Sequence, residues 1–162
     1  MVRQSRNVKI SKELHAMGDD RFPLPVSIID EEHREIERAA VELTNAMVLG
    51  VSQDSLMISA DDLLRVTRLH FEHEEAMLKR IEFAGLTGHA KGHKAIMEML
   101  RTVRKKLARR EMAAAFHHLR EYRAMLQKHL ENEDEHYRDP LNQLAAEHGG
   151  APLPPRIRRL GL

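Results

Sequence analysis

The sequence contains no cysteine and no tryptophan. Without thiols, disulfides, thiolate metal sites and thiol redox chemistry are excluded. Aromatic residues make up only 4% of the chain, while hydrophobic residues reach 42%. A core must therefore be built from Leu, Ile, Val, Met and Ala, a set that favours helices over sheets. Gly and Pro are few, at 8 and 6 residues, and they fall near segment ends, which leaves room for long helices. No apolar run approaches the ~20 residues of a membrane span. The opening MVRQSRNVKIS also lacks the apolar core of a secretory leader. A cytoplasmic chain without a membrane span is the expectation.

A strong charge of one sign is missing too, since the formal net charge is +1. A broad nucleic-acid-binding surface is therefore not expected. The charge is nevertheless uneven. Arg3, Arg6, Lys9 and Lys12 lie in an acid-free opening, and Arg156, Arg158 and Arg159 in an acid-free end, so the intervening chain is left at about −6. The length of 162 residues suits one domain with short flanks. The expected division is an N-terminal extension over 1–25, a bundle over 26–138, and a helical turn with a basic, Pro-containing tail over 139–162.

Four stripes at steps of three and four residues predict four helices. The first runs through His33, Ile36, Ala40, Leu43 and Met47, from a capping box at Ser27-Ile-Ile-Asp30 to a stop at Gly50. The second runs through Leu63, Val66, His70, Glu74, Met77 and Ile81; it is expected to start at Asp54, Ser55 or Ser59 and to stop at Gly85. The third, capped by Thr87, carries His89, His93, Ile96, Leu100, Val103 and Leu107. The fourth begins near Glu111, carries Leu119, Tyr122, Leu126 and His129, and is expected to stop at Pro140. Short connections make neighbours antiparallel, giving an all-α, up-down-up-down four-helix bundle.

The chain has eleven histidines, and five of them lie on these apolar stripes together with Glu74. Burying so many polar groups is costly unless they share a partner, and a metal is the simplest one. His70 and Glu74 are four residues apart, as are His89 and His93, so each pair projects from one helix face. Their heights agree as well. His33 precedes position 51 by 18 residues and His70 follows it by 19; His93 precedes position 110 by 17 and His129 follows it by 19. Asp134 follows His129 by five residues, about 140° round an ideal helix, so it joins the cluster only near a frayed or widened turn. Five imidazoles and two carboxylates exceed what one tetrahedral zinc takes and suit two ions, with iron or manganese favoured by the sulfur-free donor set.

The motifs carrying these residues are Asp30-Glu-Glu-His33, His70-Phe-Glu-His-Glu74-Glu75, His89-Ala-Lys-Gly-His93 and His129-Leu-Glu-Asn-Glu-Asp134. In this order and spacing the chain resembles the bacterial hemerythrins over residues 26–138. The resemblance implies a di-iron centre with a bridging oxo or hydroxo group. His89, His93 and His129 would hold one iron, and His33 and His70 the other. Glu74 and Asp134 would bridge them, with one position left for dioxygen. The implied function is reversible oxygen binding for storage, delivery or sensing. The alternatives are a di-iron enzyme acting on peroxide or nitric oxide, and an interaction module whose terminal extensions meet a protein partner or a second copy. Family members commonly carry tryptophans, which are absent here; Met125 stands at one such position, and Val66 at a place often taken by Tyr. Outside the ligand set, His73 is read as a solvated histidine or as one steering a carboxylate, and Asp30 as a helix-start residue.

Overall fold

The computed structural model describes residues 26–132 and 135–147. Among them lie α1 (Val26–Leu49), α2 (Gln53–Arg80), α3 (Leu86–Ala108), α4 (Met112–Asn132) and α5 (Glu135–Glu147), with no strand. The first four are long and pack as a bundle, α1 on α2, α2 on α3 and α3 on α4, with α4 closing back onto α1. The expected extension over 1–25 and the end of the tail lie outside the described residues. No described helix is long and apolar enough to cross a membrane.

The stripes face inward. Ile36, Leu43, Leu63, Leu100, Val103, Leu107, Leu119, Tyr122 and Leu126 form a buried aliphatic core with Tyr122 among them. Thr67 and Tyr122 meet there hydroxyl to hydroxyl at 2.9 Å, which gives each buried group a partner. Burial pushes the Tyr122 phenol above its ordinary range, and the Thr67 hydrogen bond opposes this only in part. A second, smaller cluster joins Ile29 of α1, Met77 and Leu78 of α2, and Tyr137 and Leu141 of α5. Along α1, α2 and α3 the histidine-bearing level falls between these two apolar clusters.

The helix ends depart from the sequence expectations. α2 starts behind Ser52, whose side chain accepts the Ser55 amide, rather than at Asp54, Ser55 or Ser59. It also ends before Gly85, because Glu82 takes the left-handed turn at φ 52. Phe83 N–H then bonds Leu78 C=O and Glu82 N–H bonds Lys79 C=O, the double closure of a Schellman turn. Gly85 is needed for a different reason: a Cβ there would come within 2.5 Å of the Phe83 ring. Thr87 lies inside α3, and Gly85 occupies the cap position without a side-chain bond. At the far end Pro140 does not stop the chain's helix. α4 ends at Asn132, and α5 passes through Pro140. Pro140 has no N–H to offer the His136 carbonyl, so α5 passes through it at the cost of one bond near its start. Tyr137 and Leu141, both buried, hold that helix on the bundle. The expected boundary at residue 138 therefore falls within α5.

Arg110, at φ 60, ends α3 with the same paired closure, through Glu111 N–H to Lys106 C=O and Arg110 N–H to Leu107 C=O. A left-handed residue with a Cβ is strained by about 1–2 kcal/mol, whereas Gly is not. Arg110 is exposed. Arg110→Gly is expected to raise stability by about 0.5–1 kcal/mol in chemical denaturation. A loss of stability would show that the side chain supplies more than the turn costs.

Candidate metal centre

Glu74 is a fully buried polar group at the middle of the cluster. Its carboxylate has no solvent exposure, and neither has the His70 side chain. His89 and His93 of α3 are 2% exposed and His129 of α4 is 4% exposed, while His33 of α1 is half-buried. Oε2 of Glu74 lies 2.9 Å from His93 Nε2, 3.1 Å from His89 Nε2 and 3.8 Å from His70 Nε2. On the other side His70 Nε2 meets His33 Nε2 at 3.0 Å. Two groups of donor atoms result, each with all members within 4.8 Å of one another: Glu74 with His89, His93 and His129, and Glu74 with His33 and His70. Of the seven expected ligands, six converge. Asp134, the seventh, lies outside the described residues.

Two of the imidazoles, those of His93 and His70, are aimed by a carboxylate on their far side. His93 donates Nδ1–H to Glu75 at 2.8 Å, so a neutral ring keeps a lone pair on Nε2. That Nε2 is buried and makes no hydrogen bond, although a carboxylate oxygen lies 2.9 Å away. Two lone pairs facing each other at that distance call for a cation or a proton between them. His70 is aimed in the same way, with Nδ1 on Glu32 Oε2 at 3.2 Å and Nε2 turned toward the cluster. The other oxygen of Glu32 takes His73 Nδ1 at 2.5 Å. Phe71 lies flat on His93, with ring centroids 3.8 Å apart and planes 11° apart. The remaining oxygen of Glu74, Oε1, accepts the hydroxyl of Tyr137.

The electrostatics follow this geometry. Burial would push the Glu74 carboxyl upward, but contacts from His89 and His93 and the nearby His70 outweigh it and hold the group well below its ordinary range. Glu32 behaves alike, with burial opposed and overcome by the hydrogen bonds of His70 and His73. His73 is raised, mainly by its hydrogen bond to Glu32. His129 is pushed down to about 3, first by burial and then by the neighbouring His93 and His89. It is neutral at physiological pH and offers a lone pair.

Imidazoles that present nitrogen lone pairs, a shared carboxylate and no sulfur make a donor set fit for iron or manganese. A family model described as "Hemerythrin HHE cation binding domain" matches residues 24–149. The chain belongs to the hemerythrin family. Within it, this hemerythrin-type domain binds metal ions, and the buried Glu74 cluster is where they fit. No solved structure matches the chain.

Three contributors escaped the reading of this hemerythrin sequence: Glu32, Glu75 and Tyr137. Glu32 and Glu75 stand next to His33 and Glu74 in the quoted motifs, which was the available signal. Tyr137 had none, since it reaches Glu74 from α5, beyond the four striped helices. His73 turns out to hold a carboxylate, that of Glu32 on another helix. Asp30 lies inside α1, past its first turn.

Gly92 tests the packing of the centre. A Cβ there would stand 3.1 Å from His129 Nδ1 and 3.2 Å from Cε1. Gly→Ala inside a helix ordinarily stabilises by about 1 kcal/mol. Gly92→Ala is expected to leave the metal-free protein as stable or more so, while metal affinity falls because the His129 ring is displaced. Titration of both forms with Fe2+ checks this, and equal or tighter binding by the variant would contradict the packing.

The pH dependence has a definite sign. The unfolded His129 takes a proton near pH 6.5, whereas the folded group stays neutral to about 3. The unfolded state therefore binds more protons between these values. This contribution to stability is complete above about pH 6.5 and is lost as pH falls toward 3, on the order of several kcal/mol at full extent. Glu74, held low in the folded state, acts in the same direction below the ordinary carboxylate range. Denaturation of metal-free protein at several pH values checks this; a flat profile from pH 7 to 4 would refute it.

Proposed function

We propose that this chain is a non-haem di-iron protein that binds dioxygen reversibly, with His33, His70, Glu74, His89, His93, His129 and Asp134 as the ligands. The observation that carries the reading is the pair of donor groups sharing Glu74. One group supplies three imidazoles and the other two. With Glu74 and Asp134 as common carboxylates, the two-imidazole side has fewer protein donors and keeps a position for an exogenous ligand. Two ferrous ions would supply the electrons and the binding position that dioxygen requires. The protein's part is to hold, aim and exclude. Glu32 and Glu75 set the ring tautomers of His70 and His93. Tyr137 fixes the Glu74 carboxylate plane. Phe71 and the two apolar clusters keep bulk water from the centre.

This exclusion favours binding over turnover. An enzyme consuming peroxide or nitric oxide must pass water and protons repeatedly, yet five of the six described donors are almost wholly buried. Half-buried His33 puts the more accessible side at the two-imidazole group, where the open position belongs.

Metal analysis with optical spectroscopy tests the proposal. Purified protein is expected to hold two irons per chain. After anaerobic reduction, air should produce a visible absorption band that disappears when oxygen is removed. An iron-loaded protein that stays colourless would overturn the reading. His93→Ala and Glu74→Ala are each expected to lower iron content and stability together, because metal binding energy is shared with folding. Unchanged stoichiometry in both variants would contradict the ligand assignment.

A further inference from the structure

Two carboxylates stand behind the cluster without facing it, Glu32 on α1 and Glu75 on α2, and each serves a different donor group. Glu32 accepts from His70, which belongs with His33; Glu75 accepts from His93, which belongs with His89 and His129. We propose that Glu32 and Glu75 are positioning residues that control the two halves of the centre separately, Glu32 the His33/His70 half and Glu75 the three-imidazole half. The inference rests on the two-ion reading above.

The argument begins with the imidazole proton. A neutral ring has one N–H, and a carboxylate at Nδ1 decides where it sits. The lone pair is then on Nε2 and the ring plane is fixed, so the ordering is done before an ion arrives. A negative charge on the far side also makes the ring a stronger donor. Neither carboxylate lies on the helix of the imidazole it holds: Glu32 and His70 join α1 to α2, and Glu75 and His93 join α2 to α3. Each hydrogen bond therefore locks one helix pair and one half of the centre together.

The two carboxylates are not equal. Glu32 is 16% exposed and has both oxygens engaged, one by His70 and one by His73. Glu75 is 39% exposed and opens into a surface groove that also contains Lys79, Lys91 and Lys94. Solvent and lysines dilute a charge that Glu32 keeps in a less polar setting. Glu32 therefore acts more strongly on its half, the half with fewer protein donors and the weaker intrinsic grip. His73 is the device that holds Glu32 in place from the surface.

Cobalt(II) alone, titrated anaerobically into metal-free protein and followed by its visible absorption, reads the two halves separately. The wild type is expected to take two equivalents with distinct spectra, the three-imidazole half filling first. Glu32→Ala should weaken the second equivalent by about 10–100-fold and leave the affinity and spectrum of the first unchanged. Glu75→Ala should weaken the first by a smaller factor. Glu32→Gln, which keeps an acceptor at the same place, should recover part of the loss, and His73→Gln should reproduce part of it. Circular dichroism of each metal-free variant establishes that the bundle is intact; for a variant that does not fold, the Gln substitution at the same position carries the comparison. A wild type that takes one equivalent overturns the two-ion reading, and the division with it. If the wild type takes two and Glu32→Ala changes neither, or weakens both alike, the division alone is overturned.

Discussion

A carboxylate with no access to water lies between four helices, and its charge must be answered by something within a few ångströms. Glu74 is held ionised by imidazoles on one side and a phenol on the other. The same imidazoles compete with each other: His129 is driven to neutrality by burial and by His93 and His89. Protons therefore satisfy the centre poorly. Adding one to neutralise Glu74 discards its contacts, and adding several to the rings sets like charges beside one another at ring separations of 4.4–4.7 Å. A divalent cation answers the carboxylate and the nitrogen lone pairs together without a ring proton. That is why breaking one partner in such a cluster costs far more than one hydrogen bond.

The bundle arranges for this by placing its polar level between two apolar ones. The large aliphatic core lies toward the loops at 50–52 and 109–111, and the smaller cluster lies beyond the histidines. α5 belongs to that second cluster and carries Tyr137, whose hydroxyl is the partner of Glu74 Oε1. Docking of α5 and the orientation of the central carboxylate are thus one event. Helix packing on one side and metal chemistry on the other meet in a single hydroxyl. Leu141, one turn after Tyr137 and past Pro140, supplies the apolar contact that makes this worthwhile.

How far the sequence revealed this depends on the range of each interaction. The stripes were legible because a 3.6-residue period on an apolar background marks the buried face directly. His70, Glu74, His89, His93 and His129 all lie on that face. The common height was legible because short antiparallel connections convert residue counts into distance. Helix ends were less so: Glu82 and Arg110 occupy left-handed turns for which composition favours Gly, since the closure bonds and packing outweigh their strain. The supporting carboxylates were not legible as such. Acidic residues are plentiful on these helices, and only the relative rotation of α1 on α2 and α2 on α3 singles out Glu32 and Glu75. Tyr137 required knowing that α5 packs against Ile29, Met77 and Leu78, which no periodicity encodes.

The core beneath the centre bears on what the centre can do. Among the described residues, Thr67, one turn before His70 and Phe71, and Tyr122, two turns before His129, are the buried polar groups on that side of the bundle. Their hydroxyls bond each other. A buried water needs two to four polar partners, and a closed pair leaves little to hold one. Val66 and Met125, standing where the resembling proteins carry aromatic residues, add apolar bulk without a hydroxyl or an indole N–H. The wall toward the aliphatic core therefore offers little to hold a water, and the groups beside the cluster that carry exchangeable protons, His73 and Tyr137, lie against Glu32 and Glu74 instead. A ligand held against such a wall meets few groups able to protonate and release it. On the function proposed above, that condition is what would let dioxygen leave unchanged.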